Sequence, residues 1–523
     1  MSLSHLSALD AGFLYLETPE MPMHIGSLYV LKDRPDRERD YYDDFRAMMA
    51  ERLHLAPVFT RKLQAMPFDL ANPVWIEDED IDLDYHVRRT VLPKPGSMQQ
   101  LEALAGRLHS SLLDRSRPLW EFYVIEGLNT GELAFYSKVH HAGLDGQAGM
   151  KLAATLLDIS AEGRKLRAAP PRHAAKRYQL GIGELLWSAG SNALTQSVKF
   201  ARLLPNAARA LAKSLATPDD EGRKGIRKIR NAFTLGPRTH FNVTITNQRS
   251  FGAVSLPLGE VKALGKKLDA TINDMVMVLC AGALRRYLED YDTLPKEPLV
   301  AGVPVSMRQE GDETQNNQVT MTAVPLATHI KDPLKRLEAI RKSSASSKAF
   351  INTMRDNMML DFPSLGAPWL VTGLVNLFGR SRLADAMPPL ANVVISNVPG
   401  PQVQLYMCGA EVRTMYPVSI PAHGTAINIT VQSYNGKLDF GLTCCRRAVP
   451  DVRTITQYIA AALDELKEAA AQMSAGAPVI ADGPANGVKA ASGTHGTNGT
   501  NGHAPTPKTR ARKTPKSGPS PRV

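Results

Sequence analysis

Apolar and polar positions change period along the chain, and the changes mark out elements. Near-alternation with β-branched and aromatic enrichment predicts strands over residues 24–31, 119–125 and 133–139, the last two joined by a turn at 127–131, with a further strand region from Trp75. Helical spacing marks 37–53, then 99–113, where Leu101, Leu104, Ala105, Leu108 and Leu112 share one side, and 147–158, which carries Met150, Leu152, Ala153, Leu156 and Leu157. The same alternation of signals resumes downstream. A strand is expected at 254–257, helices at 258–268 and 272–287, and an apolar strand at 299–305. A buried strand at 393–397 is closed by Val398-Pro399-Gly400-Pro401. Residues 426–433 and 437–444 read as hairpin arms across Tyr434-Asn435-Gly436, because Asn-Gly accepts the positive φ angles of a tight turn. A last helix starts at Pro450-Asp451 and bears Ile455, Ile459, Ala462, Leu463 and Leu466.

Between these halves the pattern breaks. Residues 163–236 open with Pro170-Pro171 and continue as a basic, small-residue stretch. Within it Ile182, Leu185, Leu186, Ala189, Ala193, Val198, Ala201 and Leu204 recur at roughly helical intervals beside Lys199, Arg202, Arg209 and Lys213. Two readings fit: an amphipathic element lying on an anionic lipid surface, or a crossover helix packed on protein. After about residue 474 the chain turns low-complexity, with Gly-Thr-Asn-Gly repeats and a basic run at 508–516, and cannot bury a core. A solvated tail and a membrane-touching tail both suit that composition. The expected organisation is therefore 1–162, a linker at 163–236, 237–473, and a disordered basic tail at 474–523.

Composition changes this picture little, but charge does. At 523 residues, 43% hydrophobic and 22% charged, the chain is globular and long enough for two or three domains. Its formal net charge of +11 suggests a polyanionic partner until it is mapped. Fifteen basic and four acidic side chains fall between Arg164 and Arg230, and seven basic and one acidic between Ala481 and Val523, so the remainder is net acidic. That distribution argues against nucleic acid. Cys280, Cys408, Cys444 and Cys445 lack metal-ligand spacing and read as reduced core thiols of a cytoplasmic protein. No signal peptide is expected, and the longest apolar patch, 369–378, is far short of a membrane span. Neither a phosphate-binding glycine loop nor a metal cluster is present in the pattern, which disfavours nucleotide hydrolysis and metal catalysis.

The chemistry concentrates in Val139-His140-His141-Ala142-Gly143-Leu144-Asp145-Gly146, a tight loop between the strand at 133–139 and the helix from 147. Successive side chains on a strand point to opposite faces, so one histidine can face a cavity while its neighbour braces the loop. An imidazole near its working pKa can take a proton from an alcohol and return it to a leaving group. His141 is assigned that base role, with His140 as its support. Asp145 is placed to hold an imidazole tautomer or a nearby arginine. Gly143 and Gly146 permit tight backbone and close ligand approach, and the Gly146 N–H lies near a helix start. The plain alternative is a surface or structural histidine pair. His24, before its strand, reads as a packed or capping histidine.

The loop's H-H-x-x-x-D-G pattern does not stand alone. Leu6-Ser7-Ala8-Leu9-Asp10-Ala11-Gly12-Phe13, Pro22-Met23-His24-Ile25-Gly26, Arg117-Pro118-Leu119-Trp120-Glu121, Thr271-Ile272-Asn273-Asp274, Pro304-Val305-Ser306-Met307-Arg308 and Ser396-Asn397-Val398-Pro399-Gly400-Pro401 follow in order. Together they resemble the bifunctional wax ester synthase/diacylglycerol O-acyltransferase family of the coenzyme A-dependent acyltransferases, over residues 6 to about 473. The core motif is also shared with peptide-synthetase condensation domains. The resemblance implies an α/β fold of two chloramphenicol acetyltransferase-like lobes, each a mixed sheet flanked by helices, with the histidine loop in a channel between them. It further implies an acyl-CoA-dependent O-acyltransferase that esterifies diacylglycerol, long-chain alcohols or both to storage lipid. Acyl-CoA would be a substrate, and no resident cofactor or metal is implied.

By the same resemblance Asn273 lies by the channel and supports an oxyanion, with Asp274 beside it, although helix capping explains Asn273-Asp274 equally well. Ser306 is a further channel candidate. Arg308 is a candidate ion-pair partner of Asp145, against a plain surface arginine. The implied location is cytoplasmic, with peripheral contact to a membrane face or lipid inclusion. Two other readings stay open: a condensation-type enzyme using carrier-bound thioesters, and a non-catalytic lipid-droplet or membrane-binding protein of the same fold.

Overall fold

Side-chain caps set the first elements. In a computed structural model of the chain, which describes residues 6–66, 72–144, 146–164, 235–306, 319–355, 385 and 389–475, α1 (Ala8–Leu16) starts at Ser7, whose hydroxyl accepts the Asp10 N–H, and ends at Glu17. β1 (His24–Lys32), α2 (Tyr41–Arg52, capped by Asp40), the short pair β2 (Arg61–Gln64) and β3 (Val74–Glu77), α3 (Leu83–His86) and β4 (Val87–Val91) follow. α4 (Met98–Ser110) opens with a capping box in which Ser97 and Gln100 each satisfy the other's backbone N–H. β5 (Trp120–Glu126) pairs antiparallel with β6 (Leu133–His140). A 3-10 turn at His141–Gly143 then leads into α5 (Gly146–Leu156).

The second half continues with β7 (Arg249–Pro257), α6 (Leu258–Lys267), α7 (Ile272–Asp290), β8 (Val300–Ser306), β9 (Val319–Pro325) and α8 (Pro333–Arg355). It ends with β10 (Val393–Val398), β11 (Tyr406–Met407), β12 (Ala410–Val418), β13 (Ile427–Tyr434), β14 (Lys437–Cys445) and α9 (Val452–Ala475). The β13–β14 hairpin turns through Asn435 at φ 41° and Gly436 at φ 79°, the geometry Asn-Gly favours.

Two six-stranded sheets result. The first runs β11-β12-β1-β6-β5-β4 and is antiparallel except for β4 on β5. The second runs β7-β14-β13-β10-β8-β9, with β10 parallel to both β13 and β8. Helices α7, α8 and α9 pack on one another beside the second sheet, and α9 also covers β7. Apolar faces of the second sheet and its helices form one large core that includes Val276, Leu279, Ile427 and Phe440. The first sheet buries Phe45, Trp120 and Phe135 on one face and Leu28, Leu101 and Tyr136 on the other.

The chain crosses the division expected at residues 162 and 237. β12 pairs with β1, Leu28 opposite Tyr416, so residues 406–418 complete the sheet of the first half. Strand β12 also reaches the second sheet: the Met415 N–H donates to the buried Asp439 Oδ2 at 2.7 Å, and the Ser419 N–H to Thr443 Oγ1 at 3.1 Å. Residues Met1–Ala475 accordingly form one compact unit. Within the linker expected at 163–236, residues 165–234 lie outside the described residues, as do 476–523 of the expected tail. Among the described residues no helix is long and apolar enough to cross a membrane.

Candidate active site

Strand alternation ends at the first histidine. β6 carries His140 as its last residue, fully buried and opposite His24 of β1, and the chain then tightens into the 3-10 turn that begins at His141. The two imidazoles consequently meet different surroundings. His140 Nδ1 accepts the Ala142 N–H at 3.1 Å, so its proton is on Nε2, which donates to Glu17 Oε2 at 3.2 Å. Every polar atom of this ring is thus engaged.

Glu17 sits just past the C-terminus of α1 and is the hub of the site. Its Oε2 also accepts the Met23 N–H at 3.0 Å, and its Oε1 accepts Arg115 Nε at 3.1 Å and Nη2 at 2.8 Å. Burial alone would raise its carboxyl; the His140 ring, the Met23 N–H and the Arg115 guanidinium bring it down to about 2. The opposite edge of residue 23 holds the second histidine, since the His141 N–H donates to the Met23 carbonyl at 2.9 Å. One short segment therefore links the carboxylate to both members of the pair.

The His141 ring has no such anchor. It stacks on Phe13 of α1, centroids 4.0 Å apart and planes 18° from parallel. Among the described residues its Nδ1, which is inaccessible, has no partner outside its own residue, while the residue as a whole keeps part of its surface open. Burial, with a smaller push from neighbouring His140 and against its own backbone, lowers His141 to about 4, so the ring is neutral at physiological pH. Phe13 packs at once on the small cluster of Leu6, Leu14, Leu119 and Ala142 and on the large core of the second sheet. Met21 and Met23 belong to that second core, and Arg249 of β7 donates from Nη2 to the Glu20 carbonyl at 2.6 Å. The loop thus lies where the two sheets' cores meet.

The remaining sequence candidates separate. Asp274 closes the capping box of α7: its Oδ2 accepts the Thr271 N–H at 3.0 Å and the Thr271 hydroxyl at 2.6 Å. The capping alternative is the one displayed for Asp274. Asn273, one residue earlier, is half-buried in the first turn of α7. Ser306 ends β8 and Gly146 opens α5; Asp145 and Arg308 lie outside the described residues. At Gly143 the close approach is to protein, because an added Cβ would come within 3.1 Å of the Val58 methyl. His24 is packed as expected, with Nε2 on the His109 carbonyl at 2.8 Å. Trp120 of the Pro-Leu-Trp run is also structural, stacked on His86 at 4.3 Å, while the Leu119 carbonyl accepts the His140 N–H at 3.0 Å. No group of three potential metal ligands occurs among the described residues.

Sequence reasoning passed over Glu17, Arg115 and the role of Phe13. The one local signal is the i,i+4 spacing of Phe13 and Glu17 at the end of an apolar helix, which puts them on one side without saying what that side faces.

Comparison with known proteins converges on one assignment. The wax ester synthase/diacylglycerol acyltransferase catalytic domain matches residues 6–276 and the C-terminal domain of the same family matches 315–467. A Mycobacterium tuberculosis H37Rv protein named as a diacylglycerol O-acyltransferase is 37% identical over 477 residues, 89% of this chain and 99% of its own. A second from that strain, also so named, is 36% identical over 470 residues, 88% and 98% of the two chains. The solved wax ester synthase/diacylglycerol acyltransferase of Marinobacter aquaeolei VT8 superposes with a TM-score of 0.63 at 30% identity, covering 90% of this chain and all of that one. A condensation domain of the calcium-dependent antibiotic synthetase shares the fold at a TM-score of 0.52 and 13% identity, covering 90% of this chain and 97% of that one. The two mixed sheets, the histidine loop where their cores meet and these matches place the chain in the wax ester synthase/diacylglycerol acyltransferase family.

Proposed function

We propose that this protein transfers a fatty acyl group from coenzyme A to the hydroxyl of diacylglycerol, a long-chain alcohol or both, with His141 as the general base. The observation that carries the reading is the unequal treatment of the two histidines: both ring nitrogens of His140 are engaged, whereas the His141 ring is neutral and is hydrogen-bonded to no other residue among the described residues. With its proton on the inaccessible Nδ1 beside its own backbone, Nε2 presents the lone pair. That nitrogen takes the acceptor's hydroxyl proton as the oxygen bonds to the thioester carbonyl carbon. Collapse of the tetrahedral oxyanion breaks the C–S bond, and the proton passes from Nε2 to the departing thiolate. Ester and free CoA thiol result, with no covalent enzyme intermediate.

His140, Glu17 and Asp145 hold the loop in this scheme, and Gly146 starts the helix behind it. Asn273 is the oxyanion candidate of the second half, with Ser306 as a further channel candidate. Acyl-CoA is consumed as a substrate, and no resident cofactor or metal takes part. The enzyme works at a cytoplasmic membrane face or lipid inclusion, to which the basic segment 178–216 docks.

The test is a purified-enzyme assay with palmitoyl-CoA, offering diacylglycerol and a long-chain alcohol in competition. General-base removal commonly costs ~10²–10⁴ in rate, and His141→Ala should show a loss of that order with both acceptors. Full activity in that variant would remove the base assignment.

A further inference from the structure

Two side chains of α1, four residues apart, reach two consecutive residues of the loop: Glu17 holds His140, and Phe13 lies flat on His141. The first contact is a hydrogen bond and fixes a ring that the proposed chemistry does not use. The second is a face-to-face stack at 4.0 Å on the ring that it does use. We infer that Phe13 is a positioning residue for acyl transfer, setting the plane of the His141 imidazole and excluding water from one of its faces. The inference rests on His141 being the general base.

Four observations support it. Among the described residues His141 has no hydrogen bond from its ring to another residue, so packing, with the stack as its flat contact, restrains rotation about its side-chain torsions. Near-parallel planes with centroids 4.0 Å apart put the two rings in van der Waals contact, and aromatic pairs contribute beyond their area alone. Phe13 is itself held from two sides, by the Leu6, Leu14, Leu119 and Ala142 cluster and by the core of the second sheet, so the ring that covers the base is braced by both halves of the protein. Helix α1 packs on the 3-10 turn, which keeps the contact short-range and leaves no room for an intervening side chain.

Misplacement of a reacting group by an ångström can cost on the order of 10²-fold in rate. Phe13→Leu retains apolar bulk but removes the flat face, and should lower kcat by about ten- to a hundredfold with KM for palmitoyl-CoA changed less than about twofold. The acid limb of kcat/KM should move up from about 4 toward the ordinary histidine value of ~6.5 as water reaches the ring. Phe13→Tyr, which keeps the face, should restore kcat and the acid limb together. Leu14→Ala, in the same helix and cluster, serves as the structural control: it should lower thermal stability without moving the acid limb.

Phe13→Leu with wild-type kcat and an unmoved limb overturns the inference, as does Leu14→Ala reproducing both changes. Should Phe13→Leu not fold, Phe13→Met is measured in its place against the same expectations. His141→Ala run alongside keeps the two questions apart: an active His141→Ala sinks the base assignment, whereas an inactive His141→Ala beside a normal Phe13→Leu sinks only the role of Phe13.

Discussion

Replacing Glu17 by glutamine should destabilise the protein more than almost any other single-atom change in the site. At pH 7 the carboxylate accepts four hydrogen bonds, from His140 Nε2, the Met23 N–H and two nitrogens of Arg115. In an amide one oxygen becomes an NH₂, which must face donors on one side. The buried donors of His140 and Met23 share Oε2, so the amide oxygen keeps both and the NH₂ falls against Arg115, which is half-exposed and can turn to water; what is lost is the negative charge on the acceptor. Hydrogen bonds to a charged acceptor contribute about 1.5–3 kcal/mol against about 0.5–1.5 for a neutral one, so two such bonds put the cost at roughly 2 kcal/mol.

Proton linkage gives a second route to the magnitude. The Glu17 carboxyl stands at about 2 in the folded protein against a reference of 4.5, and at about 1.4 kcal/mol per unit this is roughly 3 kcal/mol of stability. With the His140 ring neutral, as its acceptor Nδ1 requires, its hydrogen bond survives but its charge contributes nothing, which trims the figure to about 2 kcal/mol. The sign follows from the direction of the shift. A depressed carboxylate contributes stability that is complete above the unfolded value of 4.5 and is lost as pH falls toward 2. Urea unfolding of wild type and Glu17→Gln should therefore differ by about 2–3 kcal/mol at pH 7, and the gap should narrow below pH 4.5 as Glu17 of the unfolded wild-type chain protonates. A variant within about 0.5 kcal/mol of wild type at pH 7, or a gap that stays constant to pH 3, would refute the reasoning.

Four further outcomes are expected. Because burial holds His141 at about 4, kcat/KM at pH 5.5 should stay close to its value at pH 7.5, whereas a base at the ordinary ~6.5 would leave only about a tenth of the enzyme active. Gly441→Ala sets a Cβ 1.8 Å from the Pro417 carbonyl oxygen and should cost about 3 kcal/mol or more by forcing β12 off β14, read as a lower urea midpoint at unchanged slope. Thr271→Ala removes the hydroxyl that accepts the Asp274 N–H and donates to Asp274 Oδ2, while the residue 271 N–H keeps its bond to that oxygen, so melting should report a loss of about 1–2 kcal/mol. Reversing Lys199, Arg202, Arg209 and Lys213 should weaken sedimentation with phosphatidylserine vesicles, each cation near such a surface being worth about 1 kcal/mol, and unchanged binding would remove the lipid-docking reading of 178–216.

What could be read from the chain beforehand was whatever is determined locally. The β5 and β6 pair, the Asn435-Gly436 hairpin and the helix after the histidine loop all announce themselves by period and turn chemistry within a dozen residues. Strand β12 does not. Its first half alternates, with Val412 buried between Glu411 and Arg413, but Met415, Tyr416, Pro417 and Val418 are all buried because this stretch pairs with β1 on one edge and packs on β14 across a face. No sequence window contains both of those partners, so a strand that joins the two sheets looks like an unpatterned run, and a division at residues 162 and 237 looks natural.

The site divides along the same line. The histidine loop was legible because its residues are contiguous and flanked by a strand and a helix. Asp274 was legible as a cap because Thr271 is three residues away. Glu17 was not, since a carboxylate is recognisable as buried only through its partners, and His140, Arg115 and Met23 are brought to it by three different parts of the first half. The same holds for Phe13, whose apolar character is equally suited to a core. Local pattern thus singled out the imidazole pair, but the difference between the two, one hydrogen-bonded to Glu17 and one stacked on Phe13, is made by a helix whose sequence gives no sign of what it touches.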